Sequence, residues 1–254
     1  MTRIGIIRFL ILFFFNLFWS LSFAQIVNVE RFRIISDSTG WFGEINLNGT
    51  FINSSINVLI VESNAFVELN RKRNLFLFLA NYNFIQSDNS NLVSDRLLHF
   101  RHNLKLGKWL TWEAFIQFQQ NEIQNIKKRL LIGTGPRFKI VETKNLKIYL
   151  ASLLMYEDEK ENVYPNIKHH DLRSSSYLSF NIRFSEKSEL SSTTYIQPLV
   201  NNINDFRILN QSKLKVGINK HFSIVLRYDH QYDSTPATGI YKTNSTFTTG
   251  INYR

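Results

Sequence analysis

A chain of 254 residues and 29.9 kDa has room for one or two ordinary domains or for one large β-barrel. Its 44% hydrophobic content, without several long uncharged runs, excludes a polytopic helical membrane protein, and its 22 Phe and 10 Tyr exclude a mostly disordered chain. The absence of Cys removes disulfides, zinc–thiolate sites and thiol catalysis, while 30 Lys+Arg against 20 Asp+Glu leave a formal charge of +10.

The chain starts with a basic segment, Met1-Thr2-Arg3 extended by Arg8, followed by an apolar stretch from Phe9 to Leu21. Ser22-Phe23-Ala24 then places small residues before Gln25, the pattern of a signal-peptidase site. The expectation is a cleaved secretory signal over 1–24, with a retained anchor as the alternative because Ile4 to Phe23 approaches spanning length. A short periplasmic segment over 25–40 then leads into the main domain, 41–254.

From Trp41 onward the apolar residues recur with period two. Leu110, Trp112, Ala114, Ile116 and Phe118 alternate with Thr111, Glu113, Phe115, Gln117 and Gln119. Leu98, Phe100, Leu104 and Leu106 alternate with His99, Arg101, Asn103 and Lys105, and Phe222, Ile224, Leu226 and Tyr228 with Ser223, Val225, Arg227 and Asp229. Successive strand side chains point to opposite faces, so each run has one greasy and one mostly polar side. Such runs predict about twelve strands, over 41–53, 55–70, 73–86, 93–107, 109–121, 126–141, 145–157, 169–184, 188–200, 205–218, 220–231 and 244–254. In 73–84 the alternation fails, since Leu75 to Leu79 are all apolar, and the inner face there is expected to pack against something.

The connections alternate too. Arg71-Lys72-Arg73, Gly107-Lys108, Glu142-Thr143-Lys144, Ser185-Glu186-Lys187 and Asn219-Lys220 are short and basic. Between them fall Asn- and Asp-rich connections: 53–55, 87–91, 121–125, 158–168, 201–204 and 231–243. An up-and-down meander puts every second turn at the same end, and outer-membrane barrels have short periplasmic turns and longer outer loops. The basic set is therefore expected on the periplasmic side. Trp41, Trp109, Trp112, Phe138, Phe184, Phe222 and Tyr253 form the aromatic girdle expected at that rim, and Phe84, Phe118, Tyr156, Phe206 and Tyr228 the other. A secreted soluble β-sandwich with a binding role is the alternative, although its strands are usually shorter.

If lipid meets the greasy face, the other lines a lumen. Its expected lining includes Glu44, Glu62, Glu68, Arg101, Lys105, Glu113, Arg129, Arg137, Arg173, Arg183, Arg207, Lys213 and Arg227. Acids gather on the first strands and bases on the later ones, and first and last strands meet in a closed barrel, so opposite signs are expected to pair across the lumen. Rings of Arg and Lys select anions, which gives a narrow channel favouring small anionic solutes as the sharper reading and a paired, structural interior as the other.

Chemistry leaves few traces. His221-Phe222-Ser223 has a His-x-Ser spacing resembling the pairing in outer-membrane lipases, with no third group to orient the His. His169-His170-Asp171, with Glu157 across the loop, is a weak metal candidate because adjacent strand residues point to opposite faces. Gly133-Thr134-Gly135-Pro136 reads as a bend or bulge in a strand. The expectation is no enzyme, with an outer-membrane lipid-hydrolysing enzyme acting through Ser223 as the alternative, and no metal and no cofactor. The basic residues are spread through turns and the inner face, so nucleic acid is not an expected partner.

Several segments together resemble a known family: Gln25-Ile26-Val27-Asn28, Asp37-Ser38-Thr39-Gly40-Trp41-Phe42-Gly43, Arg129 to Arg137, Tyr156-Glu157, Arg173-Ser174-Ser175-Ser176-Tyr177-Leu178, Gln197-Pro198-Leu199 and Asp205-Phe206-Arg207. They are similar to Bacteroidetes members of the family labelled domain of unknown function 481, also described as salt-stress-induced outer-membrane proteins. The resemblance implies an outer-membrane β-barrel of a Gram-negative bacterium and no established activity. Phe247, Thr249, Ile251 and Tyr253 resemble a C-terminal barrel-assembly signal, although Arg254 follows the aromatic residue. Expected partners are outer-membrane lipids, the barrel-assembly machinery through that strand, and small anionic solutes.

Overall fold

The computed structural model describes residues 39–253 apart from 55, 89, 166 and 220. The expected signal segment 1–24 and residues 25–38 lie outside the described residues.

Twelve strands follow in order: β1 (Gly40–Ile52), β2 (Val58–Arg71), β3 (Asn74–Ser87), β4 (Ser90–Lys105), β5 (Leu110–Asn121), β6 (Ile126–Glu142), β7 (Leu146–Glu161), β8 (Lys168–Arg183), β9 (Glu189–Leu199), β10 (Asn202–Gly217), β11 (Phe222–Asp233) and β12 (Thr243–Tyr253). All belong to one sheet, and each pairs antiparallel with its neighbour in sequence. The two-layer sandwich is therefore not the architecture. The connection expected over 158–168 is shorter, because Asp158 to Glu161 continue β7.

The sheet curls so that one face is concave and enclosed, with cavities lined by side chains from β2 round to β11. Among the described residues no ladder joins β1 to β12. The seam shows in exposure: outward Ile45 and Leu47 on β1 are 75% and 73% exposed, whereas Leu98 and Ile116 within the wall are 49% and 45%. The interior ion pairs among the described residues join strands from β4 round to β11, Arg207 on β10 reaching Glu157 on β7.

Period-two alternation decides the faces. Leu110, Trp112, Ala114, Ile116 and Phe118 point outward on β5, while Glu113, Gln119 and Asn121 are buried on the concave side. On β3 the failed alternation has a packing reason. Leu75, Leu77 and Leu79 face inward and cluster with Phe66 and Leu97, leaving Leu77 fully buried. The outward face has a polar exception on β8–β10. There Asn210 Nδ2 donates to Ser192 Oγ (3.1 Å) and Thr194 Oγ1 (2.8 Å), and Ser212 Oγ to Ser192 Oγ (2.8 Å). Mutual bonding is what lets such groups sit on an apolar wall.

The stretch Gly133–Pro136 is not a bulge, since its register against β5 is unbroken. Its glycines make room. A Cβ on Gly133 would lie 2.4 Å from Phe115 Cε1, and one on Gly135 2.3 Å from the Ser152 carbonyl oxygen. The bulges of β6 lie at Ile126/Lys128 and Lys139/Val141. The second puts Lys139 and Glu142 on the same inner face, three residues apart, where unbroken alternation would separate them.

Candidate functional site

The interior is layered along the barrel axis. At the end carrying the basic turns, a cavity of about 530 Å³ forms a vestibule. Eight basic side chains line it (Lys105, Lys108, Arg137, Lys139, Lys147, Arg183, Lys213 and Arg227) against four acidic ones (Glu68, Glu142, Glu189 and Asp229). Glu142 is held at the rim by Lys139, by Lys147 at 3.8 Å and by the Tyr149 hydroxyl at 3.3 Å. Arg137 lies over the Tyr149 ring, 4.0 Å from its centroid.

Beneath the vestibule comes a carboxylate layer. Glu113 is fully buried, accepts from the Tyr177 hydroxyl at 2.7 Å and meets Arg137 at 3.4 Å and Arg101 at 3.9 Å. Next lie Ala151, Leu153 and Tyr177, with Phe115 and Tyr195 against them. The His99 ring stacks on Phe115 at 5.5 Å, and His99 Nδ1 bonds Gln117 Oε1 at 2.9 Å. A void of only about 60 Å³ remains at this level.

The third layer is ionic. Glu157, 0% exposed, accepts hydrogen bonds from Arg173 Nε at 2.9 Å and Arg207 Nη1 at 2.7 Å and pairs with the Arg129 guanidinium, whose Nε lies 3.0 Å away. Each arginine also reaches a second acid: Arg129 Nε to Glu159 at 2.6 Å, Arg173 Nη1 to Asp205 at 2.8 Å, and Arg207 Nε to Asp233 at 2.8 Å. The cluster ties β6, β7, β8, β10 and β11 together across the interior.

At the Asn-rich end the loop between β11 and β12 folds over the mouth. Thr238 donates its N–H to Glu161 Oε2 at 3.1 Å, and its carbonyl accepts from Asn125 Nδ2 at 2.9 Å. Gln124 Nε2 reaches Gln231 Oε1 at 2.6 Å. One end is thus an open, base-rich vestibule and the other is capped, with the ionic layer between.

The expected lining residues lie on the concave face. Lys105, Arg183, Lys213 and Arg227 are at the vestibule, Glu68 and Arg137 at its floor, Arg101 and Glu113 in the second layer, and Arg129, Arg173 and Arg207 in the third. Glu44 and Glu62 sit toward the β1 edge, Glu44 accepting from Asn46 Nδ2 at 2.9 Å. The girdle residues Trp41, Trp109, Trp112, Phe138, Phe184, Phe222 and Tyr253 gather at the basic-turn end, with Trp109 stacked on Phe138 at 6.0 Å and Phe222 against Tyr253 at 5.0 Å.

Sequence reasoning passed over the acids that matter most: Glu159, Asp205 and Asp233, and Glu157 in this role. Their signal is local, since Glu157, Glu159 and Glu161 recur at period two. It is masked because β7 is apolar on both faces just before, with Leu150 and Leu154 outward and Leu153 and Met155 inward.

The other motifs do not assemble a site. The His221 ring stacks on Tyr253 at 5.7 Å, and no hydrogen bond joins it to Ser223 among the described residues. His169 turns inward to Glu161 at 2.8 Å and His170 outward to Asp158 at 3.3 Å. No group of three or more potential metal ligands occurs among the described residues.

Fold and interior together define an up-and-down antiparallel β-barrel with a charged, filled lumen. The chain belongs to the family described as "Protein of unknown function, DUF481", whose profile matches residues 61–254. Among solved structures it is similar to the NanC porin, at 11% identity over 83% of this chain and 98% of that one, with a TM-score of 0.48. It is also similar to the translocator domain of the autotransporter NalP from Neisseria meningitidis, at 11% identity over 89% and 92%, with a TM-score of 0.42. No curated protein matches the chain.

Proposed function

We propose that this protein is a non-enzymatic outer-membrane β-barrel, shut in mid-lumen, whose vestibule receives small anionic solutes from the basic-turn side without passing them through. The single observation that supports closure is the buried cluster on Glu157, with three guanidiniums within 3.0 Å of one carboxylate. Buried ion pairs of that geometry do not part to let solute by without a cost of several kcal/mol. The Thr238 strap and the apolar layer close the same path.

The outward wall supports the membrane reading. On β7 the outward residues from Leu146 to Tyr156 are Leu, Ile, Leu, Ser, Leu and Tyr, a band roughly 25 Å tall at the usual strand tilt. The twofold excess of bases in the vestibule supports anion preference. The test is conductance in planar bilayers, with insertion verified by heat-modifiable gel mobility. Inserted protein is expected to give no stepwise conductance. Discrete steps would overturn closure, and anion-selective steps would reinstate the diffusion channel.

A further inference from the structure

Like charges set directly opposite each other on neighbouring strands repel, and sheets avoid them unless something lies between. Three adjacent strands break that rule at one height. Lys128 on β6 is the register partner of Lys160 on β7, and Lys160 is the partner of Lys168 on β8. All three point outward, on the face that carries Leu130, Ile132, Tyr156 and Leu172 below them. None of the three ammonium groups has a carboxylate partner among the described residues, and Lys128 and Lys168 are exposed. The row keeps the register that β6 and β7 hold without a break from Lys139 to Lys128, and the bulge at Ile126/Lys128 just past it leaves Lys127 exposed beside the row as an extra base. Asp158, one row below, is the only acid on this face of β7, and it is turned to His170 Nδ1 at 3.3 Å. The Tyr156 hydroxyl lies 3.4 Å from the same nitrogen.

We propose that the row Lys128–Lys160–Lys168 is a docking site for the phosphate headgroup of an anionic membrane lipid in the leaflet at the Asn-rich mouth. The height is what selects a lipid over a free anion. The row stands just beyond the apolar band that ends at Tyr156, where headgroups begin, so a phosphate there has acyl chains lying along Ile132, Leu154 and Leu172. Three ammonium groups on neighbouring strands surround one phosphate with donors and remove their own repulsion at the same time. The proposal rests on the membrane reading above.

The experiment uses the full chain folded in nanodiscs of phosphatidylcholine doped with phosphatidic acid, extracted into detergent and examined by native mass spectrometry. Wild type is expected to retain one phosphatidic acid in preference to phosphatidylcholine. The triple variant Lys128→Gln/Lys160→Gln/Lys168→Gln is expected to lose that preference by at least tenfold. Inorganic phosphate is expected not to compete, and efficient competition would mean a free-anion site and overturn the lipid assignment. The control variant Lys72→Gln/Lys144→Gln/Lys187→Gln removes the same charge at the opposite end, outside the vestibule, and is expected to behave as wild type. Equal loss in both variants would mean total charge rather than the row, and unchanged retention in the first would remove the site; either overturns the proposal. Heat-modifiable mobility verifies that each variant is folded. A chain that stays soluble without detergent and never enters the nanodisc defeats the membrane reading itself, a result distinct from entry without lipid preference.

Discussion

Replacing Glu157 by Gln tests the ionic layer with almost no change of shape. The Gln oxygen keeps the place of Oε1, which Arg129 and Arg207 share at 3.0 and 2.7 Å, and its NH2 takes the place of Oε2, which accepts from Arg173 Nε at 2.9 Å. One charge-assisted bond worth about 1.5–3 kcal/mol is lost, and a donor then faces a donor. The retained Arg207 bond becomes charge-to-neutral, at roughly half its strength, and the Arg129 ion pair at the same oxygen becomes a charge–dipole contact. No arginine is stranded, since Glu159, Asp205 and Asp233 keep one each, and the repulsion between Glu157 and Glu159 is relieved. Together these effects put the cost at about 2–4 kcal/mol, near the lower edge of what breaking a buried pair costs. Equilibrium urea unfolding in lipid vesicles, followed by tryptophan emission, measures it. Glu142→Gln is the control, because that carboxylate is 36% exposed at the rim and an exposed pair is worth under about 1 kcal/mol. A Glu157→Gln cost no larger than that of Glu142→Gln would refute the view that this cluster holds the lumen shut.

Gly135→Ala is expected to cost about 2–3 kcal/mol and Gly133→Ala about 1. The Cβ at 135 meets the backbone of β7 at 2.3 Å, whereas the one at 133 meets the Phe115 ring, which can rotate away. Thermal gel-shift midpoints check the order, and equal midpoints would show that β6 and β7 do not approach so closely. Leu150→Arg, on the outward face at mid-band, is expected to destabilise the vesicle-inserted protein by about 2–4 kcal/mol. A neutral result in the same urea titration would mean that this face meets water.

Strand number, the alternation of turn types and the identity of the two faces were legible in the residues because they depend on a period of two and on local turn chemistry. Glu113 and Arg137 are inward in any register that keeps Trp112 and Phe138 outward, so their side of the wall needed no partner strand to predict. Even the failed alternation over Leu75 to Leu79 announced an inner face with something to pack against, which the structure supplies as Phe66 and Leu97.

Partnership was not legible. That Arg207 on β10 reaches Glu157 on β7 depends on how far the sheet curls, a property of the whole ring of strands rather than of any one. That Lys139 and Glu142 share a face, and that Lys128 lines up with Lys160, both depend on the single-residue bulge at Lys139/Val141 in β6, which leaves no mark on the pattern itself. Whether the lumen is a channel or a filled core was decided there, because side-chain charges separated by fifty residues meet only once curvature brings their strands within reach.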